Sequence, residues 1–301
     1  MSQDNSARNR DTSKYIARVV IGAYYDYQEQ RKSFMNRIRD LVRKKKEGIP
    51  FDEPEEEKED KEQDEYDKWT DDEVMDELKE MLENDEFNDE EMEYVEKMLD
   101  LLQDTQEMED KYKWFMQRYE QEPIYREFLD HVRGIGTIHT ANLIYRIGYC
   151  EDYKHVSNLW SHFGLDPDSP KKRQAGEEFN YNPELRTLAY KISDNLVRAN
   201  GIYKQQFYNP YKERQLEKME LAEEGKMDEF DGSAPENKQH AHIRAKRYMV
   251  KKFLKHYWVL AREIKGEETT EPWITQHGGH DNREESYEDA HYMQKQLQSK
   301  Q

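Results

Sequence analysis

The sequence predicts an all-α protein: a long helical hairpin or coiled coil, followed by a compact helical domain that contains a helix-hairpin-helix. Three observations predict it. Apolar and aromatic residues recur at steps of three and four from Val20 to Leu41, and a second apolar line runs from Val95 to Tyr119. An apolar-X-Gly-apolar-Gly run, Val132-Arg133-Gly134-Ile135-Gly136-Thr137, stands between two amphipathic segments, with Ala141 shortly after. Val19-Val20-Ile21 opens like a strand, but no second strand signal follows nearby, so it reads as helix.

Residues 1–12 are polar and are expected to be loose. From Ser13 to about Lys46, Val20, Tyr24, Tyr27, Arg31, Phe34, Ile38 and Leu41 form a heptad seam, with Arg31 as its polar break. Gly48 and Pro50 end that helix. Residues 52–68 are mostly Glu, Asp and Lys and read as a solvated linker or frayed helix. Helical pattern returns at 71–83 with Val74, Leu78 and Leu82. A longer helix spans about 89–119, through Val95, Met98, Leu102, Met108, Tyr112, Phe115 and Tyr119. Stripes this narrow are marginal alone, so the long helices are expected to pair, either as an antiparallel hairpin or as a coiled coil shared by two copies.

Pro123 starts the next helix, which carries Tyr125, Phe128, Leu129 and Val132 into the hairpin; the helix after it runs from about Thr137 to Ile147. A short helix with Val156, Leu159, Trp160 and Phe163 stops at Gly164, and residues 165–182 read as a loop. Pro183 begins a helix with Leu185, Leu188, Ala189, Ile192 and Leu196 on one face. Tyr203 and Phe207 lead to Pro210 and a charged helix that ends near Glu224. Gly232 to Pro235 is a break. The last strong helix runs from about Lys238 to Lys265. Met249, Phe253, Tyr257, Leu260 and Ile264 make its core face, and Arg244, Arg247, Lys251, Lys255 and Arg262 a basic stripe. Beyond Gly266 the tail is polar and expected to be weakly ordered.

The net charge of −19 conceals a strong segregation. Residues 1–50 sum to +6, 51–110 to −25, 111–265 to +5 and 266–301 to −5. The acidity therefore sits mainly in one segment, and the segment with the hairpin is mildly basic. An acidic total does not exclude a nucleic-acid partner when the charge is distributed this way. Cys150 is the single cysteine, which excludes an internal disulfide and a cysteine-rich zinc site and suits a reducing cytoplasm. No apolar run approaches the length of a membrane span.

The hairpin is the strongest candidate site. Gly134 and Gly136 allow a tight turn and leave no side chain before an approaching phosphate. The helix from Thr137 presents unpaired N–H groups and its positive dipole end there. The expected product is an anion socket for a nucleic-acid backbone that reads no base sequence. The same two glycines also fit a plain tight corner between helices. Arg133, Gly134, Gly136 and Thr137 are the expected phosphate grip, with His139 one turn on. Lys171, Lys172, Arg173 and Arg186 extend it, and the stripe of Arg244, Arg247, Lys251 and Lys255 adds a second line. No Walker loop, serine-triad order or cysteine-zinc spacing appears. His277-Gly278-Gly279-His280-Asp281 has no visible third anchor for a metal, and His240 and His242 point in different directions, so neither a metal nor a cofactor is predicted. The acids of 52–110 sit in a polar run and read as a solvated face rather than a two-metal nuclease site.

Residues 125–265 resemble the C-terminal domain of Piv-type insertion-sequence transposases, a family that carries a RuvC-like DEDD domain at its N-terminus. The matching order is Gly134-Ile135-Gly136, Ala141, Ile147-Gly148, Gly164-Leu165, a basic loop, Asn182-Pro183 with Leu185 and Arg186, and a closing basic helix. The resemblance implies ancestry in a mobile element of a prokaryotic or viral host, and DNA as partner, with a guide RNA as a further one. The coiled coil would pair two copies. Two departures stand out. Nothing before residue 125 reads as the strand-rich catalytic core. The nucleophilic serine that the family carries in an Arg-Gln-Ser-Gly loop is replaced in Arg173-Gln174-Ala175-Gly176, and alanine has no hydroxyl to attack phosphate. Ser169 lies six residues early, before a proline, and is not promoted to that role. The leading expectation is a DNA-binding protein without catalysis of its own. The alternatives are a transposase subunit completed by a separate RuvC-like partner, and a protein-interaction scaffold with no DNA role.

Overall fold

The structure is a computed structural model that describes residues 2–50, 68–166, 180–226, 233–269 and 288–299. Its described residues are helical, with no strands. They divide into two compact units, Met1–Phe115 and Met116–Gln301. No helix among them is long and apolar enough to cross a membrane.

The first unit is built on α1 (Ser2–Glu47), α2 (Asp71–Glu83) and α3 (Asp89–Met116). Helix α1 begins at Ser2, earlier than the expected Ser13, because nothing in residues 2–12 breaks a helix. It ends in a Schellman turn: Gly48 takes φ +69°, its N–H donates to the Lys45 carbonyl, and Ile49 N–H donates to the Lys44 carbonyl at 2.9 Å. Reciprocal boxes open the other two helices. Thr70 Oγ1 accepts from Glu73 N–H while Thr70 N–H donates to the Glu73 carboxylate; Asn88 and Glu91 do the same for α3.

Helices α1 and α3 lie antiparallel, so the hairpin alternative holds within one chain. Moving back along α1, Lys45 pairs with Glu91 at 2.7 Å, Arg31 with Glu109 at 2.6 Å, and Tyr27 stacks on Tyr112 at 5.7 Å. Met35, Ile38, Leu41 and Val42 of α1 form a core with Val74, Leu78 and Met81 of α2 and Val95 and Met98 of α3. Part of the segregated charge is consumed here. Lys45, Lys46 and Arg39 face Glu91, Glu77 and Asp71. The seam is shifted at its N-terminal end: Ala17 and Ile21 are buried, while Val20 is only partly so. On α3, Thr105 and Glu109 are buried, whereas Phe115 stands out of the core, 51% exposed.

The second unit holds the remaining elements. A 3-10 turn (Gln117–Gln121), α4 (Pro123–Glu127) and a second 3-10 turn (Leu129–His131) lead into α5 (Thr137–Ile147). Then come α6 (Val156–His162), α7 (Pro183–Ala199), a π turn (Lys204–Tyr208), α8 (Asn209–Glu223), α9 (Lys238–Ile264) and α10 (Glu288–Gln298). Helix α9 is the axis, in contact with α4, α6, α7, α8, α10 and the π turn. From Lys252 to Arg262 every residue of α9 is buried.

Two expectations are corrected here. The basic stripe of α9 is not a solvated face throughout. Lys255 is fully buried with its Nζ 3.9 Å from Asp289, and Arg262 donates to the carbonyls of Cys150 (3.0 Å), Tyr153 (3.3 Å) and Glu268 (2.9 Å). The tail is not wholly loose either. Helix α10 buries Ala290, Met293 and Leu297, and Gln294 Nε2 donates to the Glu127 carbonyl at 3.0 Å. Its Asp289 meets His256 Nε2 at 3.3 Å, and Tyr203 Oη meets His256 Nδ1 at 2.7 Å. A neutral imidazole satisfies both contacts, accepting from the tyrosine and donating to the carboxylate.

The pair at the centre of the first unit gives a direct test. Arg31 and Glu109 interrupt an apolar seam, and removing Glu109 leaves the partly buried Arg31 with only the longer 3.9 Å pair to Asp71 among the described residues. Glu109→Ala is expected to lower stability by about 1–2 kcal/mol in urea unfolding. Arg31→Met with Glu109→Met is expected to restore it. Equal stability of the single variant and the parent would remove the pair from any structural role.

Candidate nucleic-acid interface

The two hairpin glycines do different work. Gly134 takes φ +101°, and a Cβ there would stand 2.8 Å from the Asn195 carbonyl oxygen and 2.9 Å from Ala199 Cβ. Its missing side chain thus lets the turn lie on the last turns of α7. The side left free of a Cβ is filled by α7 rather than open to a ligand, which corrects that part of the expected grip. Gly136 is the opposite case. It starts α5 with extended backbone (φ −115°, ψ −171°), and a Cβ there would meet nothing within 4 Å. The first helical bond of α5 runs from Thr140 N–H to the Gly136 carbonyl at 3.0 Å. The amides before it have no partner within the helix.

Around that opening the side chains are mixed. Arg133 is exposed, its Cβ seated on Gly201. Thr137 Oγ1 donates to the Glu120 carboxylate, so a phosphate would have to share or displace an acid already held by the chain. His139 is held down at about 4 by burial and by the nearby Lys191 and Arg198. It is neutral near pH 7 and adds no positive charge; its Nε2 lies 3.4 Å from Asn195 Nδ2. Lys191 and Arg198 are both exposed. They sit seven residues apart on α7, on the side that carries Asn195 towards His139. Sequence reasoning missed these two cations. Their spacing opposite the Leu185, Leu188 and Ile192 stripe was the available signal.

A second basic cluster lies around Gly164 and Asp166. Arg186 stacks on Tyr181 at 4.7 Å, over Gly164 at φ +64°. Arg247 donates to the carbonyls of Asp166 and Gly164, and burial with the neighbouring Arg186 pulls it below the ordinary arginine range. Lys251 Nζ lies 4.2 Å from the Trp160 ring centre, and Trp160 Nε1 donates to the Lys251 carbonyl at 3.2 Å. The fold therefore gathers Arg186, Arg247 and Lys251 from two helices to one place. Arg244 does not join them. It donates to the Ser233 carbonyl (2.7 Å) and Gln215 Oε1 (3.0 Å), fastening the start of α9 to its surroundings. Lys255 is excluded by its burial. Lys171, Lys172, Arg173 and Ala175 lie outside the described residues, as do Ser169, His277 and His280.

No protein-family model matches the chain, and no curated protein or solved structure matches it.

The glycine geometry separates two variants. Gly134→Ala meets backbone at 2.8 Å and a left-handed φ, and is expected to cost about 2 kcal/mol or more. Gly136→Ala meets no atom and is expected to leave the melting temperature nearly unchanged. Equal effects of the two would contradict this division.

The histidines set a pH dependence. His139, His162, His242 and His256 all titrate below the ordinary value of 6.5, each chiefly through burial. The unfolded chain takes up these protons from about pH 6.5 downward, while the folded protein resists them. Stability present above pH 6.5 is therefore expected to fall as pH drops towards 4, with a lower melting temperature at pH 5 than at pH 7. His139→Asn is expected to lessen that drop. An unchanged melting temperature across the interval would count against burial as the cause.

Proposed function

We propose that the protein binds DNA through the backbone, with the open start of α5 as the contact, and that it derives from a transposase without catalysing strand cleavage alone. One observation carries the reading: Gly136 opens α5 with clear space at its Cβ, exposed Arg133 stands in the turn before it, and His139 one turn on feels the exposed Lys191 and Arg198 of α7. Unpaired amides and cations together suit a phosphate ester and carry no base recognition. The cluster of Arg186, Arg247 and Lys251 offers a second line for the same strand. The resemblance to Piv-type transposases supports DNA as the polymer, and alanine in place of the family's serine supports the absence of a covalent step. A guide RNA and a second copy are further partners in this proposal. The α1 seam is occupied within the chain, so pairing of copies would use another surface.

A second reading has its own observation. Glu120 holds Thr137, and Gly134 serves packing, which together fit a structural corner in an interaction scaffold.

A salt titration of duplex binding separates the two. Phosphate contacts release counterions, so affinity is expected to fall steeply with salt. Arg133→Glu with Lys191→Glu and Arg198→Glu is expected to weaken binding by about one to two orders of magnitude near 0.1 M salt and to flatten the slope. Absence of duplex binding at low salt, with the fold intact by circular dichroism, would favour the scaffold.

A further inference from the structure

In the first unit, α2 covers one side of α1, where Arg39 meets Asp71 and Lys46 meets Glu77. Arg37 and Lys44 stand two residues before Arg39 and Lys46, and therefore on the opposite side of α1. There an open groove of about 520 Å³ is lined by Arg37, Asp40, Leu41 and Lys44 of α1 and by Tyr94 of α3. Steps of seven along α3 from Tyr94 reach Leu101, Met108 and Phe115, one apolar line on one face. Tyr94, Leu101 and Phe115 are 44%, 39% and 51% exposed. Steps of seven back along α1 from Lys44 reach Arg37, Gln30, Ala23 and Ile16, and Ile16 is 45% exposed. The line on α3 is separate from the seam that buries Val95, Met98, Thr105 and Glu109. A seven-residue apolar repeat held over four positions is what a further helix packs against.

The charges beside this line select the partner. Arg37 has no ion pair among the described residues; its guanidinium lies over the Phe34 ring, 5.4 Å from the centre. Glu93, Asp100, Asp104 and Glu107 run along α3 beside the apolar line, and Asp100 and Asp104 have no ion pair among the described residues either. The pairs Arg31–Glu109 and Lys45–Glu91 fix the register of the two helices and set Arg37 level with Leu101. The groove thus has a cation on its α1 edge and acids on its α3 edge at the same height. The acids repel a polyanion. A second copy, turned about a two-fold axis along the helices, sets α1 of each copy over α3 of the other. Arg37 then meets Asp100 and Asp104, and the symmetry makes the contact twice. An axis across the helices would set acids on acids.

We propose that two copies of the chain pair through this groove, as an antiparallel four-helix arrangement with Leu101 near its middle and Arg37 of each copy facing Asp100 and Asp104 of the other. The proposal rests on the pairing of copies put forward above and supplies its surface. It makes no use of the DNA contact in the second unit.

Sedimentation equilibrium of the full 36.5 kDa chain, without nucleic acid, is expected to give a dimer. Leu101→Lys puts a charge in the apolar line and is expected to weaken the dimer by about thirtyfold or more, the weight of a central anchor. Arg37→Glu, and separately Asp100→Lys with Asp104→Lys, set like charges against each other and are each expected to weaken it by about tenfold or more. An equimolar mixture of these last two variants is expected to recover a mixed dimer, because every reversed charge then meets its opposite. All four side chains are exposed, and circular dichroism checks that each variant keeps its helices. A parent chain that stays monomeric overturns the proposal together with the pairing of copies, and would leave the groove to a different protein. A dimer that Leu101→Lys leaves intact, or charge variants that do not recover on mixing, overturns this surface and leaves the pairing standing.

Discussion

The second unit depends on satisfying polar groups along a helix that is covered on every side. Helix α9 carries Lys255, His256 and Arg262 through a region where each residue is buried. Buried charge and buried hydrogen-bonding groups are costly unless partners reach them. Each partner brings a different segment to the axis. Tyr203 fixes the π turn through His256, Asp289 brings α10, and Arg262 gathers the carbonyls of Cys150 and Tyr153. Trp258 Nε1 adds a bond to the Tyr153 carbonyl at 2.8 Å, and Tyr257 Oη one to Gly148 at 2.8 Å. The turn after α5 is thus locked to α9, while Gly134 locks the turn before it to α7. The open start of α5 lies between two fixed points, which suits a site that must hold its shape without a ligand.

The sequence made much of this legible, and the misses have physical causes. Apolar spacing identified both long helices, and Gly48 marked the end of the first where the structure ends it. The seam slipped by one residue at Ile21 because Val19, Val20 and Ile21 are adjacent apolar residues that periodicity ranks equally. Helix α9 was misread as two-faced. Lysine, histidine and arginine count as surface in any hydrophobic pattern, and only their distant partners make burial affordable. Asp289 is such a partner, more than thirty residues along the chain from His256. The same blindness hid α10, whose apolar residues Ala290, Met293 and Leu297 are too few to stand out in a polar tail.

The turn at the candidate site was legible, and the surroundings of its residues were not. The Gly-Ile-Gly run located it, yet a sequence cannot say which glycine faces solvent. Gly134 answers a packing demand from Asn195 and Ala199, and Gly136 answers none. Lys191 and Arg198 escaped notice because they lie far along the chain from the hairpin they flank. Arg244 and Lys255 were counted as contacts because spacing on a helix does not reveal what packs against it. The charge segregation also gained a meaning. The basic end of α1 meets acids of α2 and α3, so part of the −25 segment is an internal counterweight rather than a free surface.

In the proposed contact, the amides at the start of α5 and the cations beside them receive a phosphate backbone. Hydrogen–deuterium exchange of the full chain, with and without duplex DNA, tests it at the atoms involved. The amides of Gly136 to His139 precede the first helical bond and should exchange quickly in the free protein. With DNA, slowed exchange is predicted at 136–139 and over 191–198. DNA-dependent slowing confined to other segments, or no slowing anywhere, would contradict the claim.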